Sequence, residues 1–192
     1  LNSKTETIND AIILITMPFG AALTFDSHTE SAIRALEQAQ ARAGLPSFMV
    51  SADAPPHMTL MMAADAPIAQ LRDALEQLVA SLNPTQVEFL SLGIFQAKYG
   101  VIFLAPVVNA NLLNLHTAFW KVAAPLSIHP GEHYRPGIWV PHVTLAYDLP
   151  PDQLGPVAAF LANQDWPGSA TVTHILYGEF TGQGKSRLET LP

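Results

Sequence analysis

One short string of residues occurs twice in this chain of 192 residues. Both copies read Pro-His-apolar-Thr-Leu, at residues 56–60 and 141–145. Their apolar composition predicts a strand in each case. Because side chains alternate between the two faces of a strand, the histidine and the threonine of each copy share one face. The apolar residues between and after them point to the other face, where they can anchor the strand in a core.

The rest of the chain alternates between strand and helix signals. Apolar periodicity predicts helices over residues 30–43, 68–82, 109–123 and 151–162. Shorter apolar runs predict strands over residues 11–17, 57–62, 86–95, 101–106, 142–147, 170–180 and 187–191. We interpret Pro18 and Gly20 as the end of the first strand. This order predicts an α/β (α+β) fold in which each half carries one copy of the string. No linker rich in Gly or Ser divides the chain, so we expect a single bilobal domain over residues 1–192.

The chain is acidic and poor in charge. Only 13% of its residues are charged, and the formal net charge is −7. The nine Lys and Arg residues are scattered along the sequence. Proteins that grip long nucleic acids need clustered basic residues to neutralise phosphates, so we expect no long nucleic acid as a partner.

Two further features bear on the compartment. The chain has no cysteine, which excludes disulfides, thiolate zinc sites and cysteine nucleophiles. The longest uncharged stretch, residues 11–25, is shorter than the roughly 20 residues that span a bilayer. Glu6 and Asp10 precede that stretch, where a signal peptide would carry positive charge. We therefore expect a cytoplasmic protein that does not associate with membranes.

Two histidines and two threonines that meet in one cleft suit a displacement at phosphorus. If the two halves face each other, His57 and Thr59 converge with His142 and Thr144. One neutral imidazole can remove a proton from the nucleophile, and one imidazolium can protonate the leaving oxygen. The threonine hydroxyls can donate hydrogen bonds to the non-bridging oxygens. This chemistry requires neither a metal nor a nucleotide cofactor.

A metal site is the main chemical alternative, because imidazoles are common zinc ligands. His129 and His133 are four residues apart, but they lie in a loop with Pro130 and Gly131. Helical spacing is not expected there, and the chain has no His-Glu-x-x-His motif. We expect no metal and no cofactor, with a metal-dependent hydrolase kept as an alternative. The chain also lacks a P-loop and a lysine-centred adenylylation motif, which disfavours an ATP-driven ligase.

On these residues the chain resembles the two-histidine phosphoesterase superfamily. This group includes 2′-5′ RNA ligase-like proteins and 2′,3′-cyclic nucleotide phosphodiesterases. Its hallmark is a pair of His-x-Thr/Ser-apolar motifs, one per lobe, and here the histidines are 142 − 57 = 85 residues apart. The resemblance implies a bilobal fold with two antiparallel-containing sheets, helices on the outside and a central cleft. It also implies that His57 and His142 form the acid–base pair and that Thr59 and Thr144 bind phosphate, with the roles of acid and base left open.

One position departs from the family pattern. Several members place an arginine three residues after the second threonine, where it helps to hold phosphate. This chain has Tyr147 there and Met62 at the matching place after the first threonine. The missing charge disfavours tight binding of a multiply charged RNA end and leaves a small cyclic phosphodiester as the expected ligand.

Three aromatic residues near the second string are weaker candidates for substrate contact. Tyr134 and Trp139 precede the string in a loop and could stack on a base or cover the cleft. For Trp139 we favour a side chain that fills one lobe. Tyr147 alternates with Val143 and Leu145, so simple strand parity points it into the core.

The sequence therefore predicts a metal-independent phosphodiesterase. Its expected substrate is a 2′,3′-cyclic phosphate or a similar small cyclic phosphodiester, including one at an RNA terminus. RNA ligation without ATP would be the reverse reaction, and we favour a monomer. The alternative from another class is a non-catalytic module that holds a nucleotide or phosphate in the same cleft.

Overall fold

A computed structural model describes residues 19–51, 55–80, 85–95, 100–126, 128, 130–179 and 187–192. The described residues form seven strands: β1 Phe19–Phe25, β2 His57–Ala63, β3 Thr85–Phe95, β4 Gly100–Pro106, β5 Val143–Leu149, β6 Ser169–Glu179 and β7 Arg187–Leu191. They also form five α-helices: α1 Ser27–Arg42, α2 Phe48–Ser51, α3 Ile68–Val79, α4 Ala110–Ala123 and α5 Pro151–Ala162. Two 3₁₀ turns lie at Ala124–Leu126 and Glu132–Tyr134.

The predicted α/β class is confirmed, with most element boundaries within three residues. Helix α1 begins earlier than predicted because the Asp26 side chain caps it, accepting a hydrogen bond from the Thr29 backbone N–H at 2.9 Å. The other carboxylate oxygen of Asp26 accepts from the Thr171 backbone N–H at 2.8 Å, which ties the start of α1 to β6. The prediction of a single domain over residues 1–192 stays a prediction.

The first strand is where sequence and structure differ most. The strand predicted over residues 11–17 lies outside the described residues. Gly20, interpreted above as part of a stop, instead lies inside β1, where it pairs with Met62 on one side and Gly178 on the other. Every residue of β1 is buried, so the segment lacks the alternation of apolar and polar residues that identifies a half-exposed strand.

The strands form one sheet rather than the two expected. All pairings are antiparallel, and the order is β1-β2-β5-β4-β3-β6-β7. Strand β6 pairs with both β3 and β1, so β1, β2, β5, β4, β3 and β6 close a ring. The two expected sheets are therefore two halves of one sheet, and they join where β2 meets β5 and where β3 meets β6.

The core lies between this sheet and the helices. Each long helix turns an apolar stripe towards the strands, as the 3.6-residue periodicity predicts. The fully or almost fully buried side chains of these stripes are Ile33 and Leu36 of α1, Leu71 and Leu75 of α3, Leu112 and Phe119 of α4, and Val157 and Leu161 of α5. Within the described ranges, no helix has the length and apolar character needed to cross a bilayer.

Candidate active site

The two repeated strings meet in the middle of the sheet. Strands β2 and β5 run antiparallel and share one backbone pair, Met58 with Val143. These are the equivalent central residues of the two strings. An antiparallel pair centred on equivalent residues has a local twofold axis through its centre, so the structure relates the two strings by that axis.

This register brings all four polar side chains of the strings to one face. In an antiparallel pair, the residue before a paired position lies opposite the residue after its partner. His57 therefore lies opposite Thr144, and Thr59 lies opposite His142. All four side chains are partly buried, whereas Met58 and Val143 point to the other face and are fully buried. We call the side of the sheet that carries these four residues the histidine face.

Both histidine rings are oriented by the same backbone contact. The Nδ1 atom of His57 lies 2.8 Å from the carbonyl oxygen of Pro55, and that of His142 lies 2.8 Å from the carbonyl oxygen of Val140. A carbonyl can only accept, so Nδ1 carries the hydrogen in each ring. The nitrogen that can exchange a proton with a ligand is therefore Nε2 in both cases. Each carbonyl belongs to the peptide bond that precedes the proline of its string.

The surroundings favour the neutral form of both rings. Burial lowers the pKa of His57 below its usual value, although the Pro55 carbonyl partly offsets this effect. Burial also lowers the pKa of His142, and a positive charge on His57 lowers it further, against the opposing effect of the Val140 carbonyl. The two rings thus lie close enough for the charge of one to disfavour the charge of the other.

A β-bulge follows the threonine in both strings. In β2 the extra residue is Leu60, since Ala22 pairs with Thr59 and Ala21 pairs with Met61. The bulge lets two consecutive buried residues occupy the core side, so the next residue, Met62, returns to the histidine face.

The same bulge occurs in β5 and changes the expected direction of Tyr147. The extra residue there is Leu145, since Phe103 pairs with Thr144 and Ile102 pairs with Ala146. Simple alternation pointed Tyr147 into the core, but the bulge reverses the parity and turns it to the histidine face. Its ring lies 5.4 Å from that of Phe48, a residue of α2 that is 47% exposed.

His142 has aromatic neighbours that the sequence analysis did not identify. The Phe95 ring meets the imidazole edge-on at a centroid distance of 4.8 Å, and the Phe103 ring lies at 5.2 Å. Phe103 can lie there because Gly93 is opposite it on β3, and a Cβ at Gly93 would overlap the phenyl ring. The signal for this aromatic contact with His142 is the pairing of Gly93 with Phe103, and that pairing cannot be identified without the strand register.

The surroundings of His57 are more polar. Thr24 of β1 pairs with His57 on one side and with His174 of β6 on the other. This register places a third histidine on the histidine face, two strands away from His57. The Nδ1 atom of His174 lies 2.7 Å from the hydroxyl of Thr173. No motif surrounds His174 in the sequence, so only the strand register identifies it.

Trp139 and Tyr134 lie beside the first string. The indole Nε1–H of Trp139 donates to the Thr59 carbonyl at 2.9 Å, and one face of the indole stacks on His116 at 4.0 Å with an interplanar angle of 2°. Only 8% of Trp139 is exposed. Tyr134 is partly buried at the end of its 3₁₀ turn and packs against the core. His116 is itself buried in the apolar stripe of α4, where it follows Leu112 by four residues, a spacing visible in the sequence.

The catalytic roles of His57 and His142 and the phosphate-binding roles of Thr59 and Thr144 stay predictions, but the four side chains share one face. Within the described ranges, this site included, no three His, Cys, Asp or Glu residues are grouped as metal ligands. His133 is exposed in its 3₁₀ turn, and His129 lies outside the described residues.

The geometry agrees with a comparison to protein families. A family model described as the 2′-5′ RNA ligase superfamily matches residues 25–180, which include both strings. No curated protein sequence matches the chain. The match to this family confirms the resemblance identified from the paired strings.

Solved structures show the same fold. The E. coli LigT structure with 3′-AMP is 17% identical, covers 92% of this chain and 95% of its own, and superposes with a TM-score of 0.56. The E. coli LigT structure without ligand is 18% identical, covers 92% and 95%, and gives a TM-score of 0.55. A crystal structure of a phosphoesterase is also 18% identical, covers 92% and 96%, and gives 0.54. At these identities the likeness concerns the fold alone.

The contact between Gly93 and Phe103 predicts a stability effect. We expect Gly93→Ala to lower the free energy of unfolding by about 1–3 kcal/mol, because the added Cβ overlaps the phenyl ring. Combining it with Phe103→Leu should recover part of that loss. Denaturant unfolding measures both effects.

A glycine in an open position is the matched control. Gly155 of α5 has no atom within 4 Å of an added Cβ, so Gly155→Ala should stabilise the protein by about 0.5–1 kcal/mol. Wild-type stability in Gly93→Ala would contradict the packing of Phe103 described above.

Proposed function

The chain belongs to the 2′-5′ RNA ligase superfamily, and we propose that it is a metal-independent phosphodiesterase. Its proposed substrate is a 2′,3′-cyclic phosphate or a similar small cyclic phosphodiester. The observation that carries this proposal is the convergence of two imidazoles and two threonines, related by a local twofold axis, on one face of the sheet. Membership of a family of phosphoesterases supports an enzyme that acts on phosphate esters.

The two Nε2 atoms can catalyse hydrolysis, one as the base and the other as the acid. The Nε2 lone pair of one neutral histidine takes a proton from water while the water oxygen forms a bond to phosphorus. The bond from phosphorus to one ring oxygen breaks, and the Nε2–H of the other, protonated histidine donates its proton to that leaving oxygen. The product is a phosphate monoester with one free hydroxyl. Proton exchange with solvent then returns both rings to their starting states.

The arrangement of the four residues suits an in-line displacement. Nucleophile and leaving group lie on opposite sides of phosphorus in such a reaction, and a twofold axis places equivalent acid–base groups on opposite sides of a central atom. Thr59 and Thr144 are next to the histidines on the same face, where their hydroxyls can donate to the two non-bridging oxygens. Because the two histidines are equivalent under the axis, either can be the base, and the roles exchange when the reaction runs backwards.

The charge of the site favours a singly charged ligand. Tyr147 lies on the histidine face at the position where several family members have arginine, and it carries no positive charge. The positive charge that the four central residues can offer a ligand is therefore that of one imidazolium. A cyclic phosphodiester carries one negative charge, whereas the opened monoester carries nearly two at neutral pH. This match favours substrate over product, which assists product release. E. coli LigT has been crystallised with 3′-AMP, a ligand of the size proposed here.

We expect the two histidines and the two threonines to be required for turnover. His57→Ala and His142→Ala should each lower kcat on 2′,3′-cyclic AMP by about 10²–10⁴, the usual contribution of acid–base catalysis. Thr59→Val and Thr144→Val should each lower kcat by about 10²–10³ through loss of a hydrogen-bond donor to the transition state. Initial rates measure these effects, and thermal unfolding shows that each variant is folded.

His28→Ala is the control, because His28 is exposed on α1 and belongs to neither string, so this variant should keep wild-type turnover. Wild-type kcat in either His57→Ala or His142→Ala would show that the acid–base assignment is wrong. Inactivation by a chelator would favour the metal-dependent hydrolase. Binding of cyclic nucleotides without any turnover would favour the non-catalytic module.

The lowered histidine pKa values predict an acidic optimum for kcat/KM. The reactive state has one neutral and one protonated ring, so it is most populated between the two apparent pKa values of the pair. Both rings titrate below their ordinary 6.5 in the free protein, so the maximum of kcat/KM should fall below pH 6.5. The kcat profile should be displaced to higher pH, because a bound phosphodiester anion stabilises the imidazolium. Rates at constant ionic strength between pH 4 and 9 test this, and a kcat/KM maximum above pH 7 would contradict it.

A further inference from the structure

Strands β2 and β5, which carry the two strings, are joined by very little backbone pairing. Strands β2 and β5 share the single pair Met58 with Val143, whereas each of them has a longer ladder with its other neighbour. A displacement at phosphorus needs the acid and the base at a fixed separation, and an error of about 1 Å can cost as much as 100-fold in rate. Other contacts must therefore hold the two strings at their proper distance.

A short segment before the second string contacts both strings. At its start, the Nε1–H of Trp139 donates to the carbonyl of Thr59 at 2.9 Å, across 80 residues of sequence. At the next residue, the carbonyl of Val140 accepts from the Nδ1–H of His142 at 2.8 Å. Through these two hydrogen bonds, residues 139–142 connect the backbone of the first string to the imidazole of the second.

The indole of Trp139 is itself held in place. The His116 ring stacks on it at a centroid distance of 4.0 Å with an interplanar angle of 2°. His116 is 2% exposed, and burial lowers its pKa to about 4, so the ring is neutral and uncharged at neutral pH. The backbone N–H of Trp139 also donates to the Arg135 carbonyl at 3.0 Å. These contacts fix the direction of the indole N–H.

We propose that Trp139 is a positioning residue that sets the separation between the two halves of the catalytic site. It acts through the Thr59 carbonyl on one side and through the Val140 carbonyl and His142 on the other. With 8% of its surface exposed and one face covered by His116, the indole offers little area for stacking on a base. The proposal rests on the proposed function, because it assigns Trp139 a part in placing those catalytic groups.

The chain supplies a matched control for the loss of this hydrogen bond. The Nε1–H of Trp166 donates to the carbonyl of Leu161 at 2.8 Å, and this side chain is also partly shielded from solvent. Trp166 follows α5 and has no part in either string. Trp139→Phe and Trp166→Phe therefore remove the same kind of bond and keep an aromatic ring, but only the first alters the link between the strings.

The experiment measures kcat and KM on 2′,3′-cyclic AMP, thermal unfolding, and the titration of the His142 imidazole by NMR in the whole chain. We expect Trp139→Phe to lower kcat at least tenfold with KM within about twofold. The His142 pKa should rise towards its ordinary value, because a wider gap admits water and separates it from His57. Trp166→Phe should lose about as much thermal stability as Trp139→Phe, but it should keep the wild-type kcat and the wild-type titration of His142.

Two further variants separate positioning from a general loss of structure. Thr59→Val removes the hydroxyl that Trp139 helps to place. Adding Trp139→Phe to Thr59→Val should therefore lower kcat by a smaller factor than Trp139→Phe does in the wild-type protein. If Trp139→Phe does not fold, His116→Leu removes the stacked ring while keeping the indole donor. It should change kcat and the His142 titration in the same directions.

Equal kcat and equal His142 titration in Trp139→Phe and Trp166→Phe would overturn the positioning role. This result is distinct from failure of the proposed function, which would show as a wild-type protein without turnover of cyclic phosphodiesters. In that case the titration of His142 still decides whether Trp139 sets the geometry of the histidine face.

Discussion

The antiparallel pairing of Met58 with Val143 is the contact on which the rest of the site depends. It joins equivalent residues of two similar strings, so it creates a local twofold axis where the two halves of the sheet meet. A parallel pairing would give no such axis, and a shift of one residue would send one histidine to the core. Closure of the sheet supports this register, because β6 pairs with both β3 and β1 and completes the ring of strands.

Each string carries its own devices for orienting the polar groups. The carbonyl just before the proline accepts from Nδ1, which leaves Nε2 to exchange protons in both rings. The leucine after the threonine forms a bulge, which turns the residue three positions after the threonine back to the histidine face. In β5 this residue is Tyr147, and the bulge explains why this position in particular can influence the charge offered to a phosphate.

The surroundings break the symmetry of the strings. His142 lies beside two phenyl rings that contact each other, whereas His57 lies beside Thr24 and has a third histidine in line with it. Because both imidazoles are partly removed from water, both are biased towards the neutral form, and each disfavours a charge on the other. A bound phosphate anion reverses that bias, so the ligand itself favours the protonation state in which one ring is an acid.

The sequence was sufficient for features that depend on local pattern. Helical periodicity located α3 and α4, and the repeated string identified the pair of histidines and threonines. Features that depend on register could not be predicted in this way. The approach of Phe103 to His142 needs Gly93 on the next strand, and the bond from Trp139 to Thr59 joins residues 80 apart. Strand β1 was missed because burial on both faces removes alternation, and the closure of the sheet by β6 has no local signal.

The position of a phosphate ion, in crystals of the protein soaked with inorganic phosphate, tests directly whether the two strings act on one phosphate. We expect the phosphorus to lie between the Nε2 atoms of His57 and His142. We also expect phosphate oxygens within about 2.6–3.2 Å of both Nε2 atoms and of the Thr59 and Thr144 hydroxyls. A phosphate bound by one histidine alone, or bound away from the histidine face, would contradict the convergence of the two strings on one phosphate.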